Sequence, residues 1–262
     1  METGKGKIGV FDSGLGGLVV LRSLREKLPE YDYVFLGDQK NLPYGNKSVE
    51  ALETIAKENL TYLFEKKGCA AVFIACNTIS SNLYDKLKEW ILLAYPDRFI
   101  FGIAKGTVDA LTEDKHFTVF GTVRTIESKR FGNLLRERFP ACTVDEVALP
   151  ELCSRIEAGE DVHEYLASFR GNFTEEGTCV LGCTHYGIVR DVFAEVFPGF
   201  NIVAAQESIL PVFFREYLSH REPIREKLSV GGTLEIQITA DNPVFLDYAK
   251  KWFPQSEVYV VS

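Results

Sequence analysis

AVFIACNT, residues 71–78, sets the pattern that organises this chain. An apolar run is followed by a small residue, a cysteine and two residues whose side chains donate hydrogen bonds. Such a run is typical of a strand covered on both faces, and the polar residues after it predict a turn into a helix. TCVLGCTH, residues 178–185, repeats the pattern. The repeat predicts two strand-to-helix turns that present thiols, Cys76 and Cys183, on opposite walls of one cleft.

Apolar strands and helical segments alternate on both sides of these two stretches. Apolar residues spaced three and four apart predict helices at residues 49–66, 80–92 and 126–138. The alternation predicts right-handed βαβ units and therefore an α/β fold with mainly parallel sheets. The predicted strands cover residues 7–11, 33–36, 71–75, 99–103, 117–121, 143–147, 179–181, 201–203, 234–239 and 257–261.

Two α/β domains are predicted, with the second inserted into the first. The join near residues 95–98, which contains Pro96, is the expected crossing into the second domain, and residues 204–206 are the expected return. The first domain is therefore expected to comprise residues 1–97 plus 208–262, and the second residues 98–207. The active site is expected in the cleft between them.

Composition and charge limit the possible partners. The net charge of −8 over 262 residues makes nucleic acid and anionic membranes poor partners, so a small anionic substrate must be held by local donors. Residues 1–7 lack the apolar core of a secretory signal, and the longest apolar runs are too short to span a bilayer. A cytoplasmic location is expected, where thiols stay reduced. The cysteines lack C-x-x-C spacing, which argues against a structural metal site.

Small, polar or reactive residues follow several of the predicted strands. Because ligands of open α/β sheets bind at the carboxyl ends of strands, these residues are expected to meet in the cleft. The glycine-rich turn DSGLGG, residues 12–17, is not a dinucleotide-binding motif, because Val19 stands where its last glycine would be, and no phosphate-loop lysine follows. A carboxylate-binding turn fits it better. The other segments are GD at 37–38, PYG at 43–45, GT at 121–122 and CTH at 183–185.

The cysteines and their neighbours each have a structural alternative. Cys76 and Cys183 could be small core residues, but their matching contexts favour a functional role. Asp12 could merely cap the next helix, and His185 could be a satisfied core histidine; acid/base roles are favoured for both. The remaining cysteines lie in or beside apolar segments and are assigned to structure: Cys69, Cys142, Cys153 and Cys179.

The polar residues after the strands are similarly open to two interpretations. Asn77, Thr78 and Thr184 could be helix caps, and capping is compatible with ligand binding at the same turn. Tyr44 and Gly45, which follow Pro43, could form a plain turn.

Taken together, these blocks resemble the glutamate racemase family of the Asp/Glu racemase superfamily, and the resemblance spans essentially the whole chain. It implies two three-layer αβα domains related by pseudo-two-fold symmetry. The matching blocks are IGVFDSGLGGL at 8–18, GDQKNLPYGNKS at 37–48, FIACNTISS at 73–81, GTVRTIES at 121–128, IEAG at 156–159 and LGCTHYG at 181–187, with a weaker match at 238–253.

The resemblance also implies a mechanism without cofactor or metal. Cys76 is expected to deprotonate D-glutamate with Asp12 as its partner, and Cys183 to deprotonate L-glutamate with His185 as its partner. Glu157 matches the family glutamate that orients this histidine, although it could be a solvated surface residue. The expected substrate contacts are Ser13, Pro43, Tyr44, Gly45, Asn77, Thr78, Thr122 and Thr184.

The resemblance further implies a homodimer that supplies D-glutamate for peptidoglycan, and so for cell wall and cell shape. Three alternatives remain. The first is a related racemase or isomerase acting on aspartate, a hydantoin or a malonate. The second is a hydrolase with Cys183 as nucleophile and His185 as base, which gives no reason for Cys76. The third is a binding protein that keeps the fold without turnover.

Overall fold

The strands of this protein form two separate parallel sheets. The computed structural model describes residues 5–172, 176–204 and 210–261. The strands are β1 (Lys7–Asp12), β2 (Tyr33–Gly37), β3 (Cys69–Ile74), β4 (Phe99–Gly102), β5 (His116–Gly121), β6 (Thr143–Ala148), β7 (Thr178–Gly182), β8 (Asn201–Val203), β9 (Leu234–Ile238) and β10 (Val258–Val260). Each of the ten predicted strands is present, which confirms the α/β class.

Helices connect the strands. They are α1 (Gly16–Lys27), α2 (Val49–Thr61), α3 (Asn77–Ala94), α4 (Ile103–Asp109), α5 (Val123–Glu127), α6 (Arg130–Arg138), α7 (Leu152–Glu157), α8 (His163–Ala167), α9 (Arg190–Val196), α10 (Leu210–Ser219), α11 (Glu222–Glu226) and α12 (Pro243–Trp252). None of the helices in the described part of the chain is both long and apolar enough to cross a bilayer.

The two sheets share one strand order. The larger sheet runs β10-β9-β2-β1-β3-β4, and the smaller runs β6-β5-β7-β8. In chain order, β1 to β4 are arranged in the larger sheet as β5 to β8 are arranged in the smaller one. Strands β3 and β7 therefore occupy equivalent positions. In each sheet the chain reverses its direction of winding between two central strands, β1 and β3 or β5 and β7. Crevices at such reversals are where open α/β sheets bind ligands.

The central strands are buried on both faces, as their apolar runs predict. In β1, Ile8 and Val10 pack into one hydrophobic cluster and Phe11 packs into another. Successive side chains of a strand point to opposite faces, so these clusters cover the two faces of the larger sheet. The helices that return between parallel strands supply this cover.

Two helix boundaries differ from the sequence prediction. Helix α3 begins at Asn77, directly after Cys76, rather than near residue 80. The segment expected as one helix over 126–138 is divided between α5 and α6, because Lys129 adopts a left-handed backbone with φ of 58°. Such a residue interrupts a right-handed helix.

One part of the predicted domain division is wrong. Residues 99–102 were expected in the second domain, but β4 pairs with β3 in the larger sheet, with Ala71 opposite Phe99 and Ile74 opposite Gly102. The buried side chains of Ile100 and Phe101 complete that sheet's core. The division into two domains stays a prediction, with its first crossing moved beyond Gly102. The return expected at 204–206 lies partly outside the described residues.

Candidate active site

Turns from both sheets surround one small internal cavity of about 20 Å³. The cavity lies at the carboxyl ends of β1, β3, β5 and β7, where both sheets have their reversals. Larger surface depressions exist, such as one of about 320 Å³ beside Arg22 and Trp252, but neither thiol lines it. The residues that line the small cavity are Ser13, Leu42, Pro43, Tyr44, Gly45, Asn46, Cys76, Asn77, Thr78, Thr122, Pro150, Cys153, Cys183, Thr184 and His185.

The structure brings together both predicted thiols and every predicted substrate contact. Cys76 follows β3 and Cys183 follows β7, so the thiols come from equivalent positions of the two sheets. Both are almost fully buried, with exposed fractions of 4% and 5%. All six cysteines of the chain are thiols. The cavity thus has one thiol from each sheet in its wall.

Cys76 is held in its protonated form. It stands at the N-cap of α3, and the backbone N–H groups of Thr78 and Ile79 point towards its sulfur. Burial and the nearby Asp12 carboxyl outweigh those donors and raise the pKa of the Cys76 thiol far above its ordinary value. Cys76 is therefore a proton donor at neutral pH.

Asp12 lies at the end of β1 and has no exposed surface. One carboxylate oxygen accepts the N–H of Gly14 at 3.0 Å, and the other accepts the Thr184 hydroxyl at 3.1 Å. Helix α1 has no side-chain cap, so the capping alternative for Asp12 is wrong. Burial raises the pKa of Asp12 to about 6, against the opposing effect of the His185 charge. Asp12 can therefore change its protonation state near neutral pH.

Cys183 is held in the opposite state to Cys76. Its sulfur lies 3.3 Å from the sulfur of Cys153 and 3.8 Å from Nδ1 of His185. Burial raises the pKa of Cys183, but its contacts with the Cys153 thiol and the His185 ring outweigh burial and lower the pKa to about 5. These pKa shifts favour a thiolate at Cys183 beside a charged His185 ring.

Glu157, at the end of α7, keeps His185 charged. Its Oε1 accepts from Nε2 of His185 at 2.6 Å and from the backbone N–H of Leu15 at 2.7 Å. Burial lowers the pKa of His185, but its bonds to Cys183 and Glu157 outweigh burial and raise the pKa well above the ordinary value. The Glu157 side chain is 10% exposed, so the solvated-surface alternative is wrong.

Asn77 has polar atoms that face the cavity without a protein partner. Neither Oδ1 nor Nδ2 makes a hydrogen bond with the described residues, although Asn77 is only 2% exposed. Buried polar groups are normally hydrogen-bonded, so the two atoms of Asn77 are available to a ligand in the cavity. The two sides of the cavity also touch directly, since the hydroxyls of Thr78 and Thr122 lie 3.1 Å apart.

Sequence reasoning missed Cys153, which was assigned to structure. It lines the cavity and contacts the Cys183 sulfur, so that assignment is wrong. Residues four apart lie on one face of a helix, and Cys153 lies four before Glu157 on α7. That spacing could have identified Cys153 from the sequence. If Glu157 contacts His185, then Cys153, on the same face of the helix, should lie close to His185 and Cys183.

The fold and the site define an α/β protein whose two parallel sheets each supply a buried thiol to the wall of one small cavity. The Asp/Glu/Hydantoin racemase family description matches residues 18–207, and the chain belongs to this family.

Relatives match over most of their length. The chain is 35% identical to glutamate racemase 3 of Caldanaerobacter subterraneus subsp. tengcongensis, over 93% of this chain and 89% of that protein. It is 30% identical to a glutamate racemase of Lactobacillus helveticus, over 96% and 94% of the two chains. The crystal structure of a glutamate racemase isoform from Bacillus anthracis superposes with a TM-score of 0.84 at 25% identity, covering 98% and 97%.

Proposed function

We propose that this protein is a glutamate racemase that interconverts L- and D-glutamate with two cysteines and no cofactor. The single observation that carries the proposal is the presence of Cys76 and Cys183 in the wall of one cavity, at equivalent positions of the two sheets. Inversion at a carbon atom needs one group to remove a proton from one face and another to return a proton to the opposite face. A second thiol at the matching position supplies that second group.

The two thiols differ in protonation, which sets the direction of the first step. The Cys183 thiolate takes the α-proton of L-glutamate, and the Cys76 thiol donates its proton to the opposite face. The product is D-glutamate, with Cys183 protonated and Cys76 as thiolate. Asp12 and His185 are the adjacent groups through which these protons return, since Asp12 and His185 have pKa values raised towards or above neutrality. The reverse reaction uses the same groups in the opposite order.

The carbanion must be stabilised by fixed donors, because the α-proton of an amino acid is weakly acidic. The Asn77 amide and the Thr78 hydroxyl supply such donors, and the charge of the His185 ring adds electrostatic stabilisation. Among the described residues that line the cavity, none is lysine or arginine. The substrate carboxylates are therefore held by neutral donors, which suits a protein with a net charge of −8.

Substrate entry requires the cavity to open. A volume of about 20 Å³ accommodates about one water molecule, and glutamate needs several times that space. The contacts that close the cavity join residues at the strand ends of the two sheets. For example, the Thr184 hydroxyl, after β7, donates to the Asp12 carboxylate at the end of β1. We infer that two domains move apart around these contacts, the first built on the larger sheet and the second on residues between Gly102 and 208. Such closure excludes water from the reaction.

The proposed role is the supply of D-glutamate for peptidoglycan synthesis in the cytoplasm, by a homodimer. The relatives named glutamate racemase support the substrate, and the resemblance in sequence supports the role and the assembly.

Incubation with L-glutamate in D₂O, without added cofactor, tests the proposal. Optical rotation should decay to zero while one deuterium enters the α-position of each product molecule. Parallel samples with L-aspartate and a 5-substituted hydantoin should keep their rotation. Racemisation of aspartate but not glutamate would favour the related-enzyme alternative, and an acyl-enzyme at Cys183 detected by mass spectrometry would favour the hydrolase. Stable rotation in every sample would contradict racemase activity.

A further inference from the structure

We propose that Cys153, Cys183 and His185 form a binding site for a Zn²⁺ ion that blocks the enzyme. Their ligand atoms, the two sulfurs and Nδ1 of the ring, all lie within 4.8 Å of one another. Thiolate and imidazole are the ligands that Zn²⁺ prefers in proteins. The part of this inference that concerns inhibition rests on the proposed racemase function, whereas the binding of the ion does not.

Two of the three separations between the ligand atoms are close to those of a tetrahedral zinc site, and the third is no more than 4.8 Å. Zinc–sulfur bonds of about 2.3 Å and zinc–nitrogen bonds of about 2.0 Å imply a sulfur–sulfur separation of about 3.8 Å and a sulfur–nitrogen separation of about 3.5 Å. The observed separations are 3.3 Å between the two sulfurs and 3.8 Å between Cys183 and His185. Shifts of about half an ångström or less bring both to the tetrahedral values.

The carboxylate that contacts the other nitrogen of the His185 ring also suits a metal site. Metal-binding histidines usually donate their second ring N–H to a carboxylate, which fixes the ring and its tautomer. Nε2 of His185 lies 2.6 Å from Glu157 Oε1, and Glu157 is itself held by Leu15 and by Asn242 at 2.9 Å. This arrangement leaves Nδ1 facing the sulfurs. Three protein ligands leave a fourth position, which faces the cavity.

Binding of the ion displaces the protons carried by the two sulfurs and by Nδ1 of His185, and these protons pass to solvent. The zinc complex then holds two thiolates and a neutral imidazole. Cys183 can no longer accept a substrate proton, so racemisation stops until the ion is removed.

Cobalt substitution tests the site with a readout that does not depend on activity. Metal-free protein, kept anaerobic with a phosphine reductant, is titrated with Co²⁺ and then with Zn²⁺. The wild type should bind one Co²⁺ with thiolate-to-cobalt charge-transfer bands in the near ultraviolet, and Zn²⁺ should displace it. Cys153→Val and Cys153→Ser should weaken binding by about tenfold or more, since even groups behind a ligand contribute that much. Cys142→Ser, at a half-buried thiol bonded to the Leu135 carbonyl, should match the wild type.

Activity measurements then test the inhibition. Zn²⁺ should abolish racemisation by the wild type, a chelator should restore it, and added reductant alone should not, which separates metal binding from oxidation of the thiol pair. Each Cys153 variant should need at least tenfold more Zn²⁺ to lose half of its own activity. Absence of thiolate bands in the wild type, or equal binding by folded Cys153 variants, would refute the site. Bands without any racemisation of glutamate would leave the metal site standing and remove the proposed function.

Discussion

Oε1 of Glu157 lies 2.6 Å from Nε2 of His185, and the same oxygen accepts the backbone N–H of Leu15 in the turn after β1. One carboxylate therefore fixes the charge of the histidine beside Cys183 and ties α7 to the turn that carries Asp12. Because His185 contacts Cys183 and Glu157 contacts only His185, the proposed mechanism makes Glu157 a positioning residue.

Replacing Glu157 by glutamine should slow the reaction without removing it. Loss of the charge lowers the pKa of His185, so kcat/KM should fall on the order of 10²-fold, the lower range for a positioned acid/base group. The enantiomers have equal free energies, so the fall must be the same in both directions. The alkaline limb of the pH profile should move to lower pH, because the imidazolium then loses its proton earlier. Glu160→Gln, at an exposed carboxylate paired with Arg155, is the control; an unshifted alkaline limb for E157Q would argue against this role.

Replacing Cys76 or Cys183 by serine should separate the two proposed half-reactions. Serine is too weak an acid to exchange the proton, so racemisation should fall by about 10³-fold or more. Cys76→Ser should still incorporate deuterium into L-glutamate only, because Cys183 remains, and Cys183→Ser into D-glutamate only. Polarimetry and α-deuterium measured by NMR distinguish these outcomes, with Cys142→Ser as a thiol control outside the cavity. Normal turnover by either single variant would end the two-base mechanism.

Asp12→Asn should abolish activity and make the protein more stable at neutral pH. The pKa of Asp12 is raised by burial from 3.8 to about 6, so between these values the folded state keeps a proton that the unfolded state has lost. Wild-type stability therefore falls as pH rises through this window, by about 3 kcal/mol in all. Asparagine carries no charge and avoids that loss.

Denaturant unfolding of both proteins between about pH 4 and about pH 7 checks the Asp12 prediction, since this range spans the two pKa values. The difference in unfolding free energy, variant minus wild type, should increase with pH and level off above 6. Asp32→Asn is the control. Burial raises the pKa of Asp32, but the Thr233 hydrogen bonds outweigh burial and lower it, so Asp32 titrates below this range. A pH-independent difference for D12N would show that the buried carboxylate is not destabilising.

Asn77→Leu should weaken substrate binding while leaving the fold intact or more stable. Both polar atoms of Asn77 are buried without a partner among the residues that the structure describes, and each such atom costs about 1–3 kcal/mol. A leucine of similar size removes that cost and also the contact with substrate, so KM should rise by about tenfold. Asn82→Leu is the matched control, because Asn82 donates to the Thr78 and Arg124 carbonyls and its loss should lower the melting temperature. A lower melting temperature for N77L with unchanged KM would assign Asn77 to structure.

Much of the fold could be predicted because its signals are local. Continuous apolar runs such as 71–75 identify the central strands, because a strand covered on both faces lacks the alternation of polar and apolar residues found in half-exposed strands. The placement of β4 was not predictable in this way, because pairing Phe99 with Ala71 is a contact between distant parts of the chain. The break at Lys129 was also missed, since lysine carries no turn signal of its own.

The candidate site was predictable where residues follow strands and not where they lie on helices. Cys76, Cys183 and Thr122 stand at strand ends, whose common edge gathers them. Cys153 reaches the cavity from the first turn of α7, and its proximity to Cys183 depends on how that helix packs on the turn after β7. The residues around Cys153 have the composition of an ordinary amphipathic helix. Only the spacing to Glu157 indicated that Cys153 lies in the site.

The size of the cavity also bears on how fast hydrogen isotopes exchange between the two thiols and solvent. The cavity has space for about one water molecule, so in the proposed mechanism a bound product would leave no room for bulk solvent to exchange with the sulfur-bound hydrogen. In the proposed mechanism, the hydrogen taken from L-glutamate stays on Cys183 until the product is released, and the incoming hydrogen is the one that Cys76 carried before the substrate bound. The rate at which tritium passes from labelled substrate to solvent should therefore equal the rate at which the cavity opens, and it provides a measurement of that motion.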